Sequence, residues 1–222
     1  MKVVITGATG MIGSGVLLEC LDDPKVSEVL TIGRSNLDIA HDKLREMRLQ
    51  DLRTLKEHLD SVRDYDACFY CMGISSVGMN EQAYTEITYD MAVEFARAFK
   101  TANPNATFMF ISGAGTDSSE NGRQMWARVK GKTENALLEM GFAQAYMFRP
   151  GMIIPERGIR SRTRLYRNMY LLLKPFFPVL RRMNSVVTTG MIGRAMIQLT
   201  QGNYPSGIIN PKDMRELAKS TD

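Results

Sequence analysis

Several things are scarce in this 222-residue chain, and each scarcity excludes something. Three cysteines are few and odd in number, which argues against a disulfide framework and for a reducing, cytoplasmic setting. The two histidines, His41 and His58, lie far apart in charged stretches without partners at ligand spacing, so no metal site is expected. No long hydrophobic run exists: the longest, Met169 to Leu180, is cut by Lys174, Pro175 and Pro178 and is too short to span a bilayer. The opening MKVVITGATG enters an apolar segment at once, with no charged leader or small-residue cleavage site, so secretion is not expected. Internal repeats and low-complexity tracts are also missing.

What is present suffices for a core. Apolar residues make up 44% and charged residues 23%, the balance of a single folded α/β domain. The net charge of +4 conceals an asymmetry. Residues 1–156 hold 16 Lys and Arg against 21 Asp and Glu, whereas residues 157–182 hold 8 basic residues and no acidic one.

The hydrophobic pattern alternates between strands and helices. Val3-Val4-Ile5 is an unbroken apolar run, as in a strand covered on both faces, and Val16, Leu17, Cys20 and Leu21 follow at helical spacing. Further strands are expected at Val29–Gly33, Leu44–Leu49, Ala67–Met72, Thr107–Ile111, Ala143–Phe148 and Gly207–Ile209. Helices are expected near Thr54–Val62, over Glu81–Thr101, over Gln124–Met140 up to Gly141, and after Asn210-Pro211. Such alternation produces right-handed βαβ units, so the expected fold is a doubly wound parallel Rossmann sheet with a small C-terminal substrate or lid segment. Residues 1–155 form its dinucleotide-binding part. Residues 156–222 supply the basic segment and a last strand and helix that return to the same domain.

Ligands of such sheets bind at the carboxyl ends of the strands. After the first strand stand Gly7, Gly10 and Gly13, suited to a tight turn, a backbone approach to pyrophosphate and close packing of the following helix. At the end of the second strand, where an acid would hold an NAD ribose, Arg34 follows Gly33. A guanidinium there pairs with a 2′-phosphate, so NADP(H) is expected over NAD(H).

With TGATGMIG at Thr6–Gly13, Gly33-Arg34, Cys71-Met72-Gly73, Ile111-Ser112, VKG around Lys130 and RPGMI at Arg149–Ile153, the chain resembles an atypical short-chain dehydrogenase/reductase of the extended, epimerase-like superfamily, close to small NAD(P)H-binding proteins. The resemblance covers residues 1–155. It implies the sheet order 3-2-1-4-5-6 with a short seventh strand. It also implies cofactor contacts from Gly7, Thr9, Gly10, Met11, Ile12, Gly13 and Arg34, with Asp51 and Leu52 by the adenine and Met72 and Gly73 by a ribose. Pro150, Gly151, Met152 and Ile153 would then lie by the nicotinamide, with Lys130 on its ribose. For catalysis it implies a Ser, a Tyr and a Lys, of which Ser112 and Lys130 are present. The expected activity is hydride transfer to or from a small carbonyl or alcohol.

The tyrosine is absent. Four residues before Lys130 stands Trp126, whose indole N–H donates a hydrogen bond but does not release its proton. Three readings follow: a non-catalytic NADP(H)-dependent sensor or interaction module, a different proton donor such as Tyr84, Tyr89, Lys130 or water, or a displaced motif. Against displacement, no tyrosine lies between residues 90 and 145. Cys68 and Cys71 have CxxC spacing, but on a strand residues three apart face opposite sides, which favours a buried pair over redox chemistry. Met11, Met72 and Met152 offer a soft apolar lining. The basic segment Arg157–Arg182 is open to three readings: a cationic face packed on the domain or on a second copy in a homodimer, an anion-friendly lid, or a peripheral membrane contact. Nucleic acid is not an expected partner, since the aromatics there are not interleaved as stacking platforms.

Overall fold

Val3-Val4-Ile5 has no polar side chain to turn toward water, so it is stable as a strand only where both faces are covered. In the structure, a computed structural model that describes residues 1–159, 175, 177–202 and 204–219, this segment is the central strand β1 (Lys2–Thr6). It leads into α1 (Met11–Asp22), β2 (Glu28–Gly33) and β3 (Leu44–Arg48). The chain then crosses the sheet to β4 (Ala67–Tyr70), β5 (Thr107–Ile111) and β6 (Gln144–Phe148), with α4 (Met125–Glu139) between the last two. Every strand pairs in parallel, in the order β3-β2-β1-β4-β5-β6 and then β9 (Gly207–Ile209). The order reverses between β1 and β4, and this is the switch point where open α/β sheets bind ligands.

Side chains alternate between two core layers. Val3, Ile5, Phe69, Met109 and Phe148 face α1, while Val4, Cys68, Tyr70, Phe108 and Phe110 face the helix that follows β4. That helix differs from its expected form. It runs as α2 (Glu81–Thr85), one wide π turn over Glu86–Asp90, and α3 (Met91–Ala102). Buried Tyr84, Thr88 and Ala92 recur every four residues, which overruns an α-turn of about 3.6 residues, and the wider turn absorbs the overrun. The helix expected near Thr54–Val62 is instead a pair of 3-10 turns, Leu52–Glu57 and Leu59–Val62. Its buried Leu52 and Leu55 are three apart, the period of that tighter coil. Strand β4 ends at Tyr70, short of Met72, because the Cys71 N–H turns back to the Phe69 carbonyl at 3.1 Å.

Beyond β6 the structure adds elements that the hydrophobic pattern did not announce. Strands β7 (Met152–Ile154) and β8 (Val186–Thr188) form a separate parallel pair. The short helix α5 (Phe177–Leu180) precedes β8, and α6 (Thr189–Gln201) follows it and packs across α1. The expected last strand is β9, and α7 (Pro211–Lys219) follows it. Most of the basic segment, residues 160–174 and 176, lies outside the described residues, and with it the three readings placed there. At its two ends Arg157 pairs with Asp22 at 2.6 Å and Arg181 with Glu156 at 3.2 Å.

Candidate functional site

The turn after β1 is shaped by close backbone contacts. Gly7 has φ +69°, and a Cβ on it would meet the Met72 nitrogen at 2.7 Å, so the end of β4 closes directly on this turn. A Cβ on Gly13 would overlap the Gly7 carbonyl, which fixes how closely α1 approaches. The Ser14 hydroxyl donates to the Ala8 carbonyl at 2.7 Å and holds the loop. No side chain caps α1 and its first turn carries no acid, so its free N–H groups and positive end favour an anion. Thr6 and Tyr70, paired in register across the switch point, hold the two buried side-chain oxygens without a hydrogen-bond partner among the described residues. A bare, uncapped main-chain cradle of this kind fits a dinucleotide pyrophosphate.

From Gly7, Ala8 and Thr9 an open crevice extends past Gly33 and Arg34 to Glu46, Met47 and Arg48. The Leu37 N–H donates to Glu46 at 2.8 Å, which ties the turn after β2 to β3. Arg34 thus lies where the sequence placed it, whereas Glu46 and Arg48 were missed. They sit on the edge strand, whose charged stretch carries no motif; only the register, which sets Arg48 beside Gly33, reveals them. Met72 is brought against Gly7 and packs on the α3-side core, while Met11 and Ile12 pack on the other layer. Asp51 is engaged: its carboxylate accepts from the backbone and guanidinium of Arg53, which holds it below the usual carboxylate range.

At the ends of β5 and β6 the polar groups close on one another. The Ser112 hydroxyl donates to the Phe148 carbonyl at 2.9 Å, and its N–H donates to the same oxygen at 2.8 Å. Lys130, one turn from Trp126 on α4, donates to the Ser112 carbonyl at 2.5 Å. Burial pushes the Lys130 ammonium down to about 8, against a smaller opposing pull from Glu134. The Trp126 ring covers Gly115, and its N–H donates to Gln124 at 2.7 Å. The two alternative tyrosines have partners of their own. Tyr84 is buried with its hydroxyl bonded to Thr88, and Tyr89 lies under Lys132 at 4.5 Å from the ring centre.

The segment after β6 is divided. The Pro150 carbonyl accepts from Ala114, joining the loops after β5 and β6. Gly151 backs onto Ser185 and Pro211, Met152 is partly exposed, and Ile153 is buried in the α1-side core. Arg149 forms a bidentate pair with Glu134, which is 1% exposed, and also reaches Ser118. Cys68 and Cys71 face opposite layers, and burial pushes the Cys71 thiol up to about 12 and those of Cys20 and Cys68 well above their ordinary value, which keeps all three inert.

The model of the NAD-dependent epimerase/dehydratase family matches residues 3–124. Protein HTATIP2 of Rattus norvegicus is 27% identical over 158 residues, which cover 70% of this chain and 64% of that protein. Protein fmp52-1 of Aspergillus oryzae, named mitochondrial, is 30% identical over 162 residues, 70% of this chain and 67% of its own length. Among solved structures, UDP-glucuronic acid 4-epimerase from Bacillus cereus with NAD superposes at TM-score 0.69 and 15% identity, over 95% of this chain and 78% of that one. A short chain dehydrogenase from Burkholderia cenocepacia with NADP gives 0.68 and 14%, over 99% and 91%. At such identities the likeness establishes the fold. Among the described residues no helix is long and apolar enough to cross a membrane.

Proposed function

The chain belongs to the NAD-dependent epimerase/dehydratase family and is an NAD(P)-binding protein of the short-chain dehydrogenase/reductase type, and on that premise we propose that it binds NADP(H) and transfers hydride to or from a small carbonyl or alcohol. The observation that carries this reading is the uncapped glycine turn opening into a crevice lined by Arg34. A carboxylate at position 34 would repel a 2′-phosphate; the guanidinium attracts it.

When bound, the nicotinamide would supply the hydride. The chain's own part is positioning. Lys130 is held through the Ser112 carbonyl at the ends of β5 and β6, where it can bond a ribose hydroxyl. The Ser112 hydroxyl would exchange its bond to Phe148 for one to the substrate oxygen. The proton would come from Lys130, which burial lowers to about 8, or from water, because the indole of Trp126 cannot supply it.

One observation favours a second reading. The Trp126 N–H is already committed to Gln124, so the position that carries a phenol in related enzymes offers the substrate neither an acid nor a free donor. A protein built this way binds the dinucleotide and reports its presence without turnover. A screen of aldehydes and ketones with NADPH separates the two. Turnover abolished by Ser112→Ala and by Lys130→Ala supports the enzyme; no turnover in the wild type, with activity gained in Trp126→Tyr, supports the sensor. The compartment rests on the chemistry of three free thiols, which fits a reducing one, while the Aspergillus relative is named mitochondrial.

A further inference from the structure

The crevice beyond the glycine turn is lined by two guanidiniums and one carboxylate. Arg34 follows β2, and Arg48 ends β3 at the position paired with Gly33. Glu46 lies two residues earlier on the same strand and is tied to the Leu37 N–H. Among the described residues neither Arg34 nor Arg48 enters an ion pair. Both side chains are exposed.

The charge balance gives Arg48 its importance. With Arg34 and Glu46 alone the crevice would be neutral, and a dianionic phosphate would gain little over a hydroxyl. Glu46 by itself suits a ribose hydroxyl, the NAD arrangement. A second unpaired guanidinium turns the balance positive and gives a phosphate partners on two strands. We propose that Arg48 is a specificity-determining residue, which together with Arg34 forms a two-strand clamp for the 2′-phosphomonoester of the adenosine half, against the opposing charge of Glu46. This deepens the NADP(H) reading and rests on it.

Calorimetric titration of the purified protein with NADPH and with NADH tests the clamp. Arg48→Ala is expected to weaken NADPH about tenfold and leave NADH within about twofold, as Arg34→Ala does, because only one ligand carries the extra charge. Glu46→Gln keeps an acceptor for Leu37 and is expected to tighten NADPH several-fold. Unchanged NADH binding also reports that each variant is folded. If Arg48→Ala leaves the NADPH-to-NADH ratio unchanged while Arg34→Ala collapses it, the NADP(H) reading stands and the role of Arg48 is overturned. Equal loss of both ligands in Arg48→Ala overturns it too, and a wild type that binds neither dinucleotide removes the premise itself.

Discussion

The two halves of the sheet's carboxyl edge are built in opposite ways. On the β1–β3 side the donors are left open: a positive-φ glycine turn, a helix end without a cap, and arginines outside any ion pair. On the β5–β6 side the polar groups satisfy one another, Ser112 on Phe148, Lys130 on Ser112, Trp126 on Gln124. An open donor set binds whatever arrives, while a closed one must first break bonds worth roughly 1 kcal/mol each net. On the proposed reading, affinity and chemistry are therefore separable and assigned to different strands.

The sharpest way to break that contrast is Gly13→Val. Its side chain would run into the Gly7 carbonyl, and dinucleotide affinity should fall on the order of 100-fold or more, measured by quenching of the single tryptophan. Lys130→Ala should cost only a few-fold in the same assay. If the two variants lose equally, the halves are not separable.

Next in size is Glu134→Ala, which strands Arg149 beside a buried site and should destabilise by about 3–5 kcal/mol in urea unfolding. Its effect on NADPH affinity should be small, because the pair braces α4 against β6 rather than the glycine turn.

A pH series sharpens the closed half further. Lys130 sits near 8 in the folded chain against 10.5 when unfolded, so between those values the unfolded chain holds the proton that the folded one has released. The contribution of this group to stability therefore rises with pH across that window and is least favourable below it. Lys130→Met should remove the rise and gain stability at neutral pH; a parallel slope in wild type and variant would contradict the burial of the ammonium.

The smallest effect is expected at Asp51. Its carboxylate starts a 3-10 turn and pairs with Arg53, so Asp51→Ala should lower stability by about 1 kcal/mol and change dinucleotide affinity less than threefold. A large loss of affinity would mean that the carboxylate itself faces the ligand.

The alternation of buried runs and helical spacings fixed β1, β2, β4 through β6 and the glycine turn, because a strand covered on both faces can hide nowhere else and a turn that must pass under a helix can be made only of glycine. Arg34 was legible for the same reason, being one step from a strand end. The partners of these groups were not legible. That Arg48 and Glu46 share a crevice with Arg34, that Gln124 occupies the indole of Trp126, and that Glu134 meets Arg149 all depend on segments 10 or more residues apart or on side chains turning toward each other. Periodicity reports which face a residue shows to the core; only register and packing decide what it meets there.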